Sequence, residues 1–282
     1  MILVFGSINV DVTVPVPHLP RPGETVLGGD YALLPGGKGA NQALAARRAG
    51  GEVALAGAVG RDGFADVALD LLRRDGVGLD LVRVVERPTG CAQIMVGEGG
   101  ENLIAVASGA NGAVAAGQVP DDRFGPGVTL VCQMEVPAAE TAALIQRAHR
   151  AGARTVLNLA PALPIDPAVF GALDWLIANE GEAATLGPVR PLGGLVVTRG
   201  EKGAVAMLAD GTRLEVPALA LTPVDTTGAG DAFVGAFAAR LDLGFEVAEA
   251  LRFASAAGGL ACLGRGAQPA MPRREAIAAA SS

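Results

Sequence analysis

The chain has 282 residues, half of them hydrophobic, which is enough to build one large α/β domain around a sizeable core. Its formal net charge of −7, with one Trp and one Tyr, argues against nucleic acid and anionic membranes as partners. The three cysteines are isolated and there are two histidines, so the sequence predicts neither a disulfide framework nor a zinc site.

The first residues of the chain predict a strand rather than a signal peptide, because Met1 leads directly into an apolar run with no basic segment before it. No apolar run reaches membrane-spanning length without a Gly or a charge. We therefore expect a cytoplasmic protein.

Short apolar runs alternate with amphipathic stretches along most of the chain. The predicted strands are residues 2–5, 53–58, 129–132, 155–159, 175–178 and 195–198. The predicted helices are residues 39–48, 64–75, 138–151, 168–171, 180–186, 232–241, 247–261 and 273–280. This alternation predicts right-handed crossovers and a mostly parallel sheet with helices on both faces.

Two regions break the alternation. Residues 10–34 are rich in Val and Pro, and residues 89–107 are typical of a hairpin with its turn at residues 97–100. Together they predict a small β-sheet outside the main one, which could cover a site as a lid. Because no long linker interrupts the sequence, we expect one domain over residues 1–282 that includes this lid. Its exposed strands could pair two copies, so we also expect a homodimer.

Polar residues follow the first strand at Asn9 and Asp11, where ligands bind in open α/β sheets. A glycine-rich turn then places Lys38 and Asn41 at the start of a helix, which suits close approach of a polyhydroxylated ligand. Each segment also has a simpler interpretation, as a polar turn in the first case and as a turn with a helix start in the second.

The segment of residues 225–231 has two glycines in a loop before a predicted helix, with Asp231 in its first turn. Free amides and the helix N-terminus could hold a transferred phosphoryl group, and Asp231 could accept the proton of a substrate hydroxyl. The alternative is that Asp231 only caps the helix. The segment alone does not favour either interpretation. The chain has no Walker A loop, because Gly39 follows Lys38, and no GxGxxG fingerprint.

In its order of motifs the sequence resembles the ribokinase-like (PfkB) carbohydrate kinase family from about residue 1 to about residue 278. The motifs that carry the resemblance are residues 6–11 (GSINVD), 22–25 (PGET), 36–43 (GGKGANQA), 133–135 (QME), 158–162 (NLAPA), 224–231 (VDTTGAGD) and 266–269 (GAQP). The resemblance implies a three-layer α/β/α sandwich with a mostly parallel central sheet and a small β-sheet lid. It also implies an ATP-dependent sugar kinase that uses Mg²⁺.

The resemblance implies a role for each matching residue. The sugar hydroxyls would be held by Asn9, Asp11, Gly37, Lys38, Asn41, Glu135 and the catalytic base Asp231. The anion hole would consist of the amides of Gly228, Ala229 and Gly230. The nucleotide and its phosphates would be held by Asn179, Glu182, Thr198, Arg199, Gly200, Glu201, Lys202, Gly203, Gly230 and Ser255.

Asn179 and Glu182 match the family's Asn-x-x-Glu pattern, which is tied to phosphate and Mg²⁺. The residues themselves agree, because acidic groups just after a buried strand could organise a hydrated Mg²⁺ through water. The alternative is an ordinary acidic first turn of a helix.

The resemblance further implies activation by a monovalent cation, usually K⁺. The matching positions are Asp225, Thr227, Ala261, Gly264, Gly266 and Ala270. The family usually has a hydroxyl at the last position, which Ala270 cannot offer. The sequence also departs from the family between Glu182 and Thr198, where about 15 residues replace a helix and a longer connection.

The leading hypothesis is phosphorylation of the 5-hydroxyl of D-ribose by ATP. One alternative is a kinase of the same family that acts on a nucleoside, fructose or a sugar acid, although a nucleoside would need extra space for its base. A third hypothesis is a catalytically silent sugar-binding protein, against which the presence of Asp231 beside its Gly-Ala-Gly turn counts.

Overall fold

Two β-sheets, eight α-helices and five short 3₁₀-helices make up the computed structural model, which describes residues 1–187, 189 and 191–281. The strands are β1 (Ile2–Phe5), β2 (Asn9–Val16), β3 (Ala32–Gly36), β4 (Val53–Val59), β5 (Gly78–Val84), β6 (Gly90–Gly97), β7 (Asn102–Ala107), β8 (Thr129–Cys132), β9 (Arg154–Asn158), β10 (Trp175–Asn179), β11 (Gly194–Thr198), β12 (Ala204–Leu208) and β13 (Arg213–Val216). The helices are α1 (Lys38–Arg48), α2 (Gly63–Arg74), α3 (Ala138–Arg150), α4 (Glu180–Ala184), α5 (Ala229–Asp242), α6 (Val247–Ala261), α7 (Ala267–Ala270) and α8 (Arg274–Ala280).

The central sheet has the strand order β13-β12-β11-β10-β9-β8-β1-β4-β5 over the described residues. Every pair from β11 to β5 is parallel, whereas β12 and β13 pair antiparallel at one edge. The predicted mostly parallel sheet is therefore confirmed. Side chains of β1 alternate between the two faces, with Ile2 and Val4 in one core and Leu3 and Phe5 in the other.

Helices cover both faces of this sheet, as the alternation of strands and helices predicted. Residues of α1, α2, α5, α6 and α8 fill the core that contains Ile2, and α3 with irregular segments fills the core that contains Leu3. None of the described helices combines the length and the apolar character that a membrane crossing would need. The three cysteines are free.

Several boundaries differ from the predictions. The stretch predicted as a helix at residues 168–171 is a 3₁₀-helix, Pro167–Ala172, because it is too short to build a run of α-helical hydrogen bonds. The helix predicted over 180–186 ends at Ala184. The helix predicted from residue 232 starts at Ala229, because Gly228 adopts a left-handed conformation (φ 79°) and caps it.

Three strands of the central sheet were not predicted. They are β5 and β13, which form the two edges of the sheet, and β12, which lies next to β13. Polar residues interrupt the apolar pattern of β5 and β13, and β12 is a run of five apolar residues of which three are buried. Between α4 and β11 the chain makes a short connection, and residues 188 and 190 of the shortened segment lie outside the described residues.

A four-stranded sheet of order β3-β2-β6-β7 lies beside the central sheet. The predicted hairpin is confirmed, since β6 and β7 pair antiparallel from Cys91↔Ala107 to Val96↔Asn102. The small sheet is mixed, because β2 pairs antiparallel with β3 but parallel with β6. β7 is an edge strand, and all six of its residues are exposed.

Helices α1 and α5 cross very closely, and this crossing positions the candidate site. Gly235 of α5 faces the backbone of α1, where an added Cβ would lie 2.6 Å from the Gln42 carbonyl oxygen and 2.7 Å from the Ala46 nitrogen. Only glycine permits this approach. As a result, side chains from the start of α1 reach Asp231 in the first turn of α5.

Candidate active site

The candidate site lies where β1 and β10 end and where α1 and α5 begin, at the carboxyl edge of the parallel sheet. The glycine-rich turn before α1 packs directly on the β1–β2 connection. An added Cβ on Gly37 (φ 88°) would lie 2.7 Å from the Asn9 nitrogen, and one on Gly39 would lie 2.5 Å from the Gly6 carbonyl carbon. The predicted turn therefore needs glycine at both positions.

Glu135 is anchored at the start of α1. Its Oε2 accepts hydrogen bonds from the Ser7 hydroxyl at 2.6 Å and from the Lys38 amide at 3.1 Å. A carboxylate at a helix N-terminus is favourable, because the first amides have no partners within the helix. Ser7, which sequence reasoning missed, thus helps to hold a predicted sugar-binding residue.

Asn9 and Asp11 project from β2. Asn9 is 3% exposed, and its Oδ1 accepts from Asn111 Nδ2 at 2.7 Å, while Asn111 Oδ1 accepts from the Ile8 amide at 2.9 Å. The Asp11 carboxylate packs against Gly36, where an added Cβ would lie 2.5 Å from Asp11 Cγ. The two predicted residues are therefore fixed in place by their neighbours.

Three carboxylates and one ammonium interact across the site. Burial, together with the negative charges of Glu135 and Asp231, raises the pKa of Asp11 to about 6, and Lys38 opposes this shift. The pKa of Lys38 is raised above its usual value, chiefly by the charge of Asp231, although burial acts in the opposite direction. The site therefore has excess negative charge around a single ammonium.

Replacing Asp11 with asparagine is expected to stabilise the protein at alkaline pH. The pKa of Asp11 is higher in the folded protein than in the unfolded one, so folding favours the protonated form. The stability that this form contributes is fully present below the unfolded pKa and is lost as the pH rises through about 6. We expect D11N to raise the free energy of unfolding by at most about 3 kcal/mol at about pH 8, and by less at about pH 5.

Urea unfolding of both proteins across this pH range measures the gain. The exposed Asp66 serves as a matched control, since Asp66→Asn should show no such pH-dependent gain. A gain from D11N that stayed constant with pH would contradict the electrostatic cause.

Asp231 is 6% exposed and is held by two neighbouring residues of α1. Asn41 Nδ2 donates to Asp231 Oδ2 at 2.9 Å, and Gln42 Nε2 donates to Asp231 Oδ1 at 2.8 Å. Gln42 Oε1 in turn accepts from Gln133 Nε2 at 2.7 Å. The cap of α5 is Gly228, with no side-chain capping bond, so the Asp231 carboxylate is directed to α1 instead.

Among the described side chains, Asn41 Oδ1 is a buried oxygen without a hydrogen-bond partner. Such an atom is costly unless a ligand or water satisfies it. It therefore fits a polar ligand such as a sugar hydroxyl.

Two cavities meet at the start of α5. The smaller, of about 230 Å³, is lined by Lys38, Asn158, Asn179, Glu182 and Asp231, among others. The larger, of about 510 Å³, is mainly apolar and is bordered by α5 and α6. The residues that line both cavities are Thr198, Thr226 and Gly230. This junction would let a group from the larger cavity reach Asp231.

Most of the predicted nucleotide residues border the larger cavity. Those that line it are Thr198, Gly200, Glu201, Gly203, Gly230 and Ser255. The Arg199 guanidinium instead bonds Glu215 and the Lys202 carbonyl oxygen, and neither Arg199 nor Lys202 lines the cavity. Apolar lining residues that sequence reasoning missed are Leu219, Leu221, Pro223 and Phe233.

Asn179 and Glu182 form a reciprocal cap at the start of α4. Asn179 Oδ1 accepts from the Glu182 amide at 2.8 Å, and Glu182 Oε2 accepts from the Asn179 amide at 2.9 Å. Both residues also line the smaller cavity. Over the residues that the structure describes, no three His, Cys, Asp or Glu side chains cluster as a metal-binding group.

The predicted cation residues lie together beside the 225–231 loop. Asp225 Oδ1 accepts from the Thr227 amide and hydroxyl, and Oδ2 accepts from the Gly266 amide at 2.8 Å. Burial would raise the pKa of Asp225, but these hydrogen bonds hold it below its usual value. An added Cβ on Gly264 would lie 2.9 Å from the Ala270 Cβ, so these two positions are also adjacent.

Gln42 and Gln133 are the important polar residues that sequence reasoning did not assign to the site. Gln42 directly follows Asn41, and Gln133 is the first residue of the motif that ends at Glu135. Their positions within two of the motifs were the available signal. Which side chains point towards Asp231 depends on the crossing of α1 and α5, which no local pattern specifies.

The family model for pfkB family carbohydrate kinases matches residues 1–189 and 191–274 of this chain. The ribokinase of Bacillus subtilis (strain 168) is 35% identical over 287 residues, which cover 98% of this chain and 97% of that protein.

Solved structures of similar proteins share the fold over nearly the whole chain. The ribokinase of Thermotoga maritima has a TM-score of 0.90 at 30% identity and covers 99% of this chain and 98% of its own. The ribokinase of Arabidopsis thaliana, complexed with ribose and ATP, has a TM-score of 0.88 at 29% identity and covers 100% and 98%, respectively.

Proposed function

Because this chain belongs to the pfkB family of carbohydrate kinases, we propose that it transfers the γ-phosphoryl group of ATP to the 5-hydroxyl of D-ribose. The observation that carries the proposal is the buried Asp231 at the junction of a small polar cavity and a larger, mainly apolar one. The Arabidopsis ribokinase, similar over the whole chain, was solved with ribose and ATP, which supports the same pair of substrates here.

The sugar would bind beside α1. Asn9, Asp11, Lys38, Asn41 and Glu135 offer both donors and acceptors, which suits a molecule whose hydroxyls can do both. The unpartnered Asn41 Oδ1 would accept from one hydroxyl. Gly37 lets the turn pack against the β1–β2 connection beside the sugar site, since an added Cβ would lie 2.7 Å from the Asn9 nitrogen and its φ is positive.

Asp231 would act as the general base. Its carboxylate accepts the proton of the 5-hydroxyl as that oxygen attacks the γ-phosphorus, and the bond from phosphorus to the bridging oxygen of ADP breaks. Proton transfer of this kind contributes about 10²–10⁴-fold to the rate. The Asn41 and Gln42 bonds keep the carboxylate oriented for this step.

The start of α5 would stabilise the negative charge on the transferred group. Gly228, Ala229 and Gly230 precede Asp231, and the first amides of a helix lack partners within it. The Ala229 amide donates to the Thr226 carbonyl oxygen at 3.2 Å, so its contribution requires a shift of this bond. The larger cavity would hold the adenosine part, with Phe233 and Leu219 against the base.

The donor set around Asn179 and Glu182 fits a hydrated Mg²⁺. This ion keeps several waters and needs one or two protein carboxylates beside substrate phosphates. In the described chain no three His, Cys, Asp or Glu side chains are placed to hold a metal together, and this finding does not conflict with such an ion. When bound, Mg²⁺ would offset negative charge on the ATP phosphates. Glu182 would hold it through water while still capping α4.

The residues beside Asp225 fit a monovalent cation in part. The carboxylate has a further lone pair, and the carbonyl oxygens of Thr227, Ala261, Gly264 and Gly266 could complete a shell. Ala270 offers no hydroxyl, so we expect any K⁺ to be held mainly by backbone oxygens. When bound, such a cation would add positive charge beside the 225–231 loop.

We propose that the chain is a single domain in which the small sheet, from about residues 10–34 and 89–107, acts as a lid. Asn9 and Asp11 belong to this sheet, so the sheet contributes directly to the sugar site. Its closure would exclude water, which competes with the sugar as a phosphoryl acceptor. An ATP-dependent kinase acts where ATP is supplied, so the cytoplasm stays the proposed location.

We also propose a homodimer that forms through the edge of the small sheet. The β7 edge leaves backbone groups unpaired, and its Leu103, Ile104 and Val106 are about half exposed. We expect Ile104→Lys to leave the protein monomeric at about 10 µM, because a charge would be buried in the interface without a partner. Analytical ultracentrifugation measures the association.

The matched control for the dimer is Leu243→Lys, which replaces a similarly exposed leucine at the end of α5. This variant should remain a dimer. A wild-type protein that is monomeric at the same concentration would contradict the proposed dimer.

Coupled ADP-release kinetics test the substrate, with pentoses, hexoses, fructose, sugar acids and nucleosides as acceptors, each with and without K⁺. We expect the highest kcat/KM for ribose. A nucleoside that reacts as well as ribose would contradict the ribose assignment and favour another kinase of the family. Ribose binding without ADP release would identify a silent sugar-binding protein.

A further inference from the structure

Two buried glutamines form a chain of hydrogen bonds that ends on Asp231. Gln133 Nε2 donates to Gln42 Oε1 at 2.7 Å, and Gln42 Nε2 donates to Asp231 Oδ1 at 2.8 Å. Both glutamine side chains are 0% exposed. Buried amides are unfavourable unless they are hydrogen-bonded, so losing either bond would leave a polar group without its partner. Among the described residues, Gln133 Oε1 has no hydrogen-bond partner, so Gln133 is held through its Nε2.

The order of these bonds fixes the orientation of Gln42. An ionised carboxylate only accepts hydrogen bonds, so Gln42 must present its Nε2 rather than its Oε1 to Asp231. In this orientation Gln42 Oε1 accepts from Gln133 Nε2, and that bond opposes a turn of the Gln42 amide. Gln133 therefore acts on Asp231 through Gln42, without touching it.

Both oxygens of the Asp231 carboxylate accept hydrogen bonds. Asn41 holds Oδ2 and Gln42 holds Oδ1, both from the start of α1. Lys38 and Asp231 line the same cavity, where their opposite charges attract and raise the pKa of Lys38, while Asp11 and Glu135 add negative charge. Without the Gln42 bond, Asn41 alone would restrain the carboxylate, which could then turn towards the Lys38 ammonium in the same cavity.

We propose that Gln42 and Gln133 are positioning residues that hold the Asp231 carboxylate in the orientation that receives the proton of the acceptor hydroxyl. This inference rests on the proposed function, in which Asp231 is the base. The bonds restrain Asp231 without blocking it, because each carboxylate oxygen has a second lone pair for the incoming hydroxyl.

The test is a pair of nearly isosteric substitutions, Gln42→Met and Gln133→Met, with the double variant. We expect Q42M to lower kcat about 10- to 100-fold while the ribose KM changes by less than about twofold, since a donor to a charged group is lost but no sugar contact. Q133M should lower kcat less. The double variant should match Q42M, because Gln133 acts through Gln42.

The matched control is Gln118→Met. Gln118 Nε2 donates to the Gly57 and Leu81 carbonyl oxygens, and its Oε1 accepts from the Ala115 amide. This variant therefore loses three amide hydrogen bonds, none of them near Asp231. We expect a lower Tm with unchanged kcat and KM. If Q42M does not fold, Q133M carries the same test, because it leaves Gln42 in place.

The inference would be overturned by an unchanged kcat in Q42M, or by a KM in Q42M that changes as much as kcat does. It would also be overturned if the effects of the two substitutions on kcat were additive in the double variant. A wild-type protein without ribose kinase activity would instead refute the proposed function. In that case, crystal structures of the wild type and Q42M decide the inference without any substrate. An Asp231 carboxylate turned towards Lys38 in Q42M supports it, and an unchanged orientation overturns it.

Discussion

Asp231→Asn is expected to lower kcat with ribose by about 10²–10⁴-fold while ribose still binds. The amide has nearly the shape of the carboxylate but cannot take up the proton of the attacking hydroxyl. The fold should tolerate the change, because Asn41 can turn its unpartnered Oδ1 towards the new NH₂ group. Coupled ADP release measures kcat, and titration calorimetry measures ribose binding.

Asp66→Asn is the matched control for this variant, because Asp66 is exposed on α2 and should not affect either quantity. A D231N enzyme with wild-type kcat would remove Asp231 from the role of base. Loss of both binding and turnover would indicate instead that Asp231 mainly holds the sugar.

Gly39→Ala should have the second large effect. An added Cβ would lie 2.5 Å from the Gly6 carbonyl carbon and 2.6 Å from the Ser7 nitrogen, and backbone atoms cannot move aside as a flexible side chain can. The start of α1 must therefore shift away from β1, together with Lys38 and Asn41. We expect a ribose KM at least about tenfold higher and a free energy of unfolding lower by about 1–3 kcal/mol.

Gly63→Ala tests whether the effect comes from the collision or from glycine itself. Gly63 also lies in the first turn of a helix, but an added Cβ there meets no atom within 4 Å. That variant should keep the wild-type KM and unfold no more easily, since alanine favours helix. Steady-state kinetics and urea unfolding of both variants make the comparison, and a wild-type KM in G39A would contradict the close packing of the turn.

The sequence predicted the main sheet because its buried strands have a strong local signal. Parallel strands covered on both faces appear as short apolar runs, as at β1 and β8. The edge strands β5 and β13 lack that signal, because one side of each has no neighbouring strand and polar residues interrupt their apolar positions. β12 lies between β11 and β13, and it is a short run whose last two residues are not buried. Each of the three pairs with the strand that precedes it in the chain, so its place in the sheet depends on that partner.

The same contrast applies to the candidate site. The glycines beside Lys38 and Asp231 predict these parts of the site from the sequence, because two backbones can approach closely only where one residue is glycine. The direction of a long side chain is set by its surroundings. Arg199 belongs to a predicted nucleotide loop, yet its guanidinium bonds Glu215 on β13, a strand that the sequence did not predict.

By itself, the sequence determined the fold class, the hairpin of the small sheet and the motifs that converge at one edge of the sheet, because these depend on local periodicity and on backbone freedom. Only the tertiary structure decided what surrounds Asp231. Gly235 brings α1 and α5 together, and that crossing places Asn41 and Gln42 on the two carboxylate oxygens. The physical reason is that hydrogen bonds between residues about 190 positions apart depend on how two helices pack, which neither helix encodes alone.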